Sequence, residues 1–186
     1  MYNAFIDELK NKVTNIIATH NGYCFVNTAA PTKDWSWQPA TPCTIVSLFE
    51  QGCIEKGLSY LEGGPIYNVV SPHIGGLPDV VNSLYAIKKL VFDEQKVSFD
   101  ELLRLLKSDW EDGEVLRKYV LNKYAYFGND NDEVDEIATQ LLSDFADICK
   151  SFDGTHGYRF PAGVSTFGRQ LAWSPHRLAS PHGRKQ

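Results

Sequence analysis

The sequence predicts a mainly α protein with a few short strands. Two observations carry this: apolar residues recur at helical spacing through most of the chain, and only two runs are β-prone, too few to close a sheet domain of their own. Asn3 to Thr19 places Phe5, Ile6, Leu9, Val13, Ile16 and Ile17 near one face, and Asn21-Gly22 supplies a stop, so the first helix is amphipathic. From Tyr23 to Pro42, Trp35 and Trp37 alternate with Pro31 and Pro39 without period, which predicts an irregular crossing segment. A second helix is expected to open at Thr41 or Thr44 and to keep one apolar stripe until Gly57 stops it.

The turn Gly63-Gly64-Pro65 leads into Ile66 to Val70, the first expected strand, and then into a loop, Ser71 to Gly76. Asp79 to Glu94 is the strongest helical pattern. Val80, Leu84, Ile87, Leu90 and Val91 lie on one face, Lys88 and Lys89 lie elsewhere, and Pro78 sits where a helix accepts proline. Ser98-Phe99-Asp100-Glu101 matches a capping box before a helix over Leu102 to Lys107. Glu114 to Asn122 reads as a shorter helix. Asp130 to Glu133 repeats the capping logic before a helix that runs to about Phe152. Beyond Gly154, Tyr158 to Phe167 is β-prone and the last fifteen residues are irregular.

The 186 residues, 43% hydrophobic and 22% charged, suit one globular unit over 1–186 with a basic irregular tail at 157–186. That tail holds five basic residues and no carboxylate, so the preceding residues carry −10 against a net charge of −5. Phe160, Phe167, Leu171, Trp173 and Leu178 within the tail argue for an edge that packs on other structure, and against a nucleic-acid arm. No stretch approaches the ~20 apolar residues of a membrane span, and the N-terminus lacks a leader pattern, which points to the cytoplasm. Four cysteines without Cys-x-x-Cys pairing, and five dispersed histidines, suggest neither a disulfide framework nor a metal centre.

Cys53 with Glu55 offers a thiol beside a carboxylate, the elements of a small thiol enzyme. Two residues apart on a helix they face different ways, and Cys53 falls on the apolar stripe, so a core cysteine is the preferred reading. Asn129 to Glu133 with Asp135 carries oxygen ligands, but lacks the glycine and glutamate positions of a calcium loop; helix capping accounts for it.

In order, Cys53-Ile54-Glu55-Lys56-Gly57, Gly63-Gly64-Pro65-Ile66-Tyr67-Asn68, the run Asn82 to Phe92, Phe127 to Asp132 and Ser180-Pro181-His182-Gly183-Arg184-Lys185 resemble the motifs of the glycyl radical enzymes. These comprise pyruvate formate-lyase (formate acetyltransferase) and related dehydratases and decarboxylases, and the similarity is closer to the latter branch. Three positions depart: Pro65 for a usual alanine, Asn82 for aspartate and His182 for aspartate.

The resemblance implies part of an α/β barrel and an anaerobic lyase chemistry. An activating enzyme with an iron–sulfur cluster and S-adenosylmethionine installs a radical on a glycine near the C-terminus; that glycine oxidises a cysteine, whose thiyl radical abstracts hydrogen from substrate. Cys53 matches a later helix and not the thiyl motif, and neither radical centre is matched within these residues. The expectation is therefore a partial segment, inactive alone, with no catalytic residue and no cofactor of its own. Its expected partners are the remainder of such an enzyme, a second copy or the activating enzyme. The alternative is a helical spare part that binds a full-length relative. Tyr67, Asn68 and His73 are expected to face substrate, because a strand giving way to a loop would set them at a barrel mouth.

Overall fold

The computed structural model describes residues 1–19, 44–165 and 177–186. The expected crossing segment at 23–42, and much of the β-prone and tail region beyond Ser165, lie outside them. The described chain is mainly helical with short strands, as its periodicity predicts, and it divides into two compact units. The first comprises Met1–Pro72 with Asp144–Gly163, the second His73–Ser143 with Val164–Gln186.

In the first unit, α1 spans Tyr2–Thr19. It buries Val13 and Ile17, and the Tyr2 hydroxyl donates to Asp144 Oδ2 at 2.7 Å. The single helix expected from Thr44 to Gly57 is two helices, α2 (Thr44–Phe49) and α3 (Cys53–Lys56). The break is made by Gly52, which adopts φ 101°, a left-handed conformation that glycine enters without steric cost. Its position is tight as well: a Cβ there would lie 2.9 Å from the Gly64 carbonyl oxygen. Gly57 ends α3 in the left-handed region, as expected.

The expected strand from Ile66 shortens to β1, Asn68–Val69, which pairs in parallel with β3, Tyr158–Arg159. Asn68 stands opposite Tyr158 and Val69 opposite Arg159, and the Val70 amide donates to the Arg159 carbonyl at 3.0 Å. The buried side chains here are Tyr158 and Phe160 from the β3 region and Phe145, Ile148 and Cys149 from α7, Asp132–Lys150.

In the second unit the loop expected at Ser71 to Gly76 contains β2, His73–Ile74, whose Ile74 carbonyl accepts from the Ser165 amide at 2.9 Å, just beyond β4, Gly163–Val164. The long helix expected to Glu94 is α-helical only through α4, Leu77–Ile87. Lys88–Asp93 continues it as a π-helix, and the Glu94 amide donates to the Lys89 carbonyl at 2.8 Å. Both lysines then reach Glu133 on α7, and both pair with Asp93. These bonds hold the Asp93 and Glu133 carboxyls below the usual carboxylate range.

Ser98 caps α5, Phe99–Lys107, by accepting from the Glu101 amide at 3.1 Å. Only half of the expected capping box forms, because Glu101 pairs with Arg104 one turn on. The start of α7 also differs from the expected pattern. Asn131 Oδ1 accepts from the Glu133 amide at 3.2 Å and thus acts as the cap, while Glu133 turns to the lysines. With α6, Glu114–Lys123, these helices enclose Leu90, Leu102, Trp110, Val120 and Val134, all essentially inaccessible. No described helix is long and apolar enough to cross a membrane.

Candidate functional site

Among the described residues two places carry convergent polar chemistry, one in each unit. In the first unit, α3 and the turn after it set the approach to β1. The Cβ of an alanine at Gly64 would sit 2.3 Å from the Leu58 carbonyl oxygen and 2.7 Å from Cys53 Sγ. Gly64 is thus a close-packing position as well as a turn residue. Beneath it Cys53 is 3% exposed, and burial followed by the nearby Glu50 charge pushes its thiol pKa up. Glu55 accepts from the Gly52 amide at 3.1 Å, so its carboxylate is engaged in capping α3. The pair behaves as the core reading expects, with a thiol kept protonated.

Pro65 is fully buried, and its carbonyl accepts from Lys56 Nζ at 2.9 Å. Beyond it Tyr67 is exposed and lines a concavity of about 520 Å³ with Val69, Lys150, Arg159, Phe160 and Pro161. The Arg159 guanidinium lies 4.3 Å from the centre of the Tyr67 ring, a cation–π contact that fixes both groups. Asn68 is half-buried on β1, and its amide turns back to the Pro65 carbonyl at 3.5 Å. Tyr67 therefore meets open space and Asn68 meets the backbone of its own turn. His73 is exposed on β2 in the second unit.

Sequence reasoning did not single out Arg159 and Lys150. The signal was present in the carboxylate-free tail, where Arg159 stands, but only the register with β1 brings it to Tyr67.

In the second unit the turn Ser180 to Arg184 is seated against α4 and α6. Arg184 Nη1 bonds Asp79 Oδ2 at 2.6 Å, Arg117 Nη1 donates to the Gly183 carbonyl at 3.0 Å, and Trp110 Nε1 donates to the Ser180 carbonyl at 3.3 Å. His182, with a side chain 12% exposed, lies in the middle. Ser83 Oγ donates to the Asp79 carbonyl at 2.6 Å, so it receives the Nδ1 hydrogen of His182 at 3.2 Å. Nε2 then keeps its lone pair, 3.4 Å from Ser180 Oγ and 3.5 Å from Asp79 Oδ1. Burial lowers the His182 pKa; Asp79 opposes this and Arg184 reinforces it. Asn82, another departure from the family motif, accepts from the Phe127 amide at 3.0 Å, a bond an aspartate would also make.

Asn129 and Asn131 donate to the Tyr126 and Ala125 carbonyls, and Glu133 is tied to lysines, so these oxygens and amides serve the turn before α7. Among the described residues no three His, Cys, Asp or Glu side chains converge as a metal site.

Comparison with known proteins bears on the family of the chain. The family model described as pyruvate formate lyase-like matches residues 8–173. The chain is 32% identical over 149 residues to (2S)-3-sulfopropanediol dehydratase of Klebsiella oxytoca, covering 78% of this chain and 18% of that enzyme. It is 38% identical over 102 residues to trans-4-hydroxy-L-proline dehydratase of Clostridioides difficile, covering 55% of this chain and 13% of that enzyme. The glycerol-bound B12-independent glycerol dehydratase from Clostridium butyricum superposes with a TM-score of 0.70 at 32% identity, over 78% of this chain and 18% of that one. The chain thus spans less than a fifth of the length of each of these relatives.

Proposed function

The chain belongs to the pyruvate formate lyase-like family of glycyl radical enzymes, on its dehydratase and decarboxylase side, and from that premise we propose that it works as one segment of a radical lyase. It supplies helices, the β1–β3 strand pair and a substrate-facing surface at Tyr67. The observation that carries this is the unfinished first unit: a parallel pair of two-residue strands, beside helices whose apolar residues face outward. Parallel sheets are stable when further strands and helices cover them, so this pair calls for strand neighbours beyond those among the described residues.

Among the described residues no acceptor for the family's glycyl radical chemistry is assigned. Cys53, packed under Gly64, and Cys149 are both buried, so neither is given a step of hydrogen abstraction, and the chain alone is proposed to be catalytically silent. Its contribution is to shape and line the site while the radical centres and their activating enzyme act elsewhere.

The test is assembly. A family dehydratase from which the equivalent segment has been removed is mixed with this chain, and mass is followed by light scattering while turnover is assayed after activation. The expected result is a defined complex that regains dehydratase or decarboxylase activity, with none from either piece alone. Turnover by the isolated chain, or two pieces that never associate, would sink the reading. Binding to an intact family enzyme without any gain in activity would favour the spare-part alternative.

A further inference from the structure

We propose that the concavity beside Tyr67 takes a small organic anion: a planar carboxylate, held by Arg159, on an apolar body that lies along Val69 and Phe160. The inference rests on the reading of Tyr67 as substrate-facing and adds the chemical class of what it faces.

Charge is the first argument. Arg159 and Lys150 both line the concavity, and among the described residues neither is ion-paired with a carboxylate. The one acid in the lining, Asp153, has an oxygen occupied by the Phe160 amide at 2.7 Å. The space therefore holds two cations against one partly engaged carboxylate, a net positive charge inside a chain whose first 156 residues carry −10.

Geometry is the second. A guanidinium presents a flat fork of N–H donors that fits a carboxylate with two parallel bonds, which an ammonium does not. Arg159 ordinarily would have to be ordered for this, at a cost in side-chain entropy. Here the Tyr67 ring, 4.3 Å away, already holds it, and its backbone is fixed opposite Val69 by the strand pairing. Apolar lining is the third. Val69, Phe160 and Pro161 offer little to hydrogen-bond a polyol, but they desolvate a hydrocarbon or ring. About 520 Å³ lies within the range of small-ligand sites.

The test uses the full 186-residue chain with benzoate as the anionic probe and benzyl alcohol as its neutral counterpart, read by chemical shifts of the Arg159 side chain and the Phe160 amide. Benzoate is expected to bind saturably at least ~10-fold more tightly than benzyl alcohol, and to weaken several-fold as salt is raised through the range where exposed charges are screened. Arg159→Gln should remove that preference, Arg159→Lys should restore only part of it, and Tyr67→Ala should weaken benzoate while leaving Lys150 in place. Arg159 is exposed, so the backbone spectrum of its variants should be retained; if Arg159→Gln unfolds, Arg159→Lys carries the test.

Equal affinity for the two probes, an Arg159→Gln variant that still prefers benzoate, or shifts confined to other surfaces would overturn the proposal. So would loss of benzoate binding in the assembled enzyme, since the concavity would then be a seat for polypeptide. Assembly without anion preference overturns the ligand class alone. Anion preference without assembly overturns the enzyme-segment reading and leaves the concavity as a binding site of this chain.

Discussion

The two compact units differ in how far they satisfy themselves. In the second, Trp110, Leu90, Val120 and Val134 are inaccessible, and the polar groups around them close on one another through Asp79, Ser83, Arg117, His182 and Arg184. In the first, α2 buries none of its residues: Ile45 is 75% and Phe49 85% exposed, and Ile54 of α3 stands out beside them. Aligned apolar residues over two adjacent helices exceed the scattered exposure normal for a monomer surface. Among the described residues, one unit encloses its large apolar side chains and the other leaves a row of them exposed, and the difference is open to attack from either side.

The largest effect should come from the core of the self-contained unit. Trp110→Ala removes an inaccessible indole together with its bond to the Ser180 carbonyl and should cost about 3–5 kcal/mol, measured by denaturant unfolding. An unchanged midpoint would deny that the second unit has a core of its own. Gly64→Ala comes next, in the first unit. Its Cβ meets backbone oxygen and the Cys53 sulfur at distances no flexible side chain can relieve, and roughly 1–3 kcal/mol is expected.

His182 sharpens the comparison through pH. Its pKa is depressed in the folded chain, so the unfolded chain binds the extra proton more readily. The stability this represents is complete above the ordinary histidine pKa, near 6.5, and is lost as pH falls through that value toward the folded one. Melting temperature followed from pH 8 to pH 5 should therefore drop. His182→Gln should flatten that drop, and a variant with the same slope would show that another group titrates. His182→Asp, the residue usual in the family motif, brings a second carboxylate toward Asp79 and should be neutral or mildly destabilising above pH 6.5.

Below this window Glu114 takes over. The hydrogen bonds from Arg117 hold its carboxyl at about 2, so the stabilisation is present above the ordinary carboxylate pKa and disappears as pH falls from about 4.5. Glu114→Gln should remove that part of the acid transition. The smallest effect on stability belongs to α2. Phe49→Ser should shift unfolding by less than about 0.5 kcal/mol, because the ring is already in solvent, yet it should reduce self-association in sedimentation velocity. A substantial loss of stability would mean that Phe49 is covered within the chain itself.

Much of the helical fold was legible because its signals are local. The stripe from Tyr2 to Thr19, the Ser98 cap and the run into α7 follow from spacing and from side chains that bond amides two or three residues away. The misses occurred where a residue had a better partner elsewhere. Glu101 left its capping box for Arg104, and Glu133 left its own for Lys88 and Lys89. The π-helical Lys88–Asp93 keeps an apolar residue at each expected position, so periodicity alone could not distinguish it from α-helix. Gly52 and Gly64 were readable as punctuation, but not as a contact between them.

The candidate site divides along the same line. Tyr67 and Asn68 were legible as neighbours after a glycine turn, yet one faces the concavity and the other its own backbone, a distinction decided by the strand register. By itself the sequence determined most of the helical stretches, the Ser98 cap and the ordered motifs that mark the family, since each is written in residues a few positions apart. Only the tertiary structure decided that Arg159 lies over Tyr67 and that His182 shares a proton network with Ser83, contacts across 92 and 99 positions of chain. Such contacts depend on which surfaces are left to meet once the local elements have formed, and no local spacing encodes that choice.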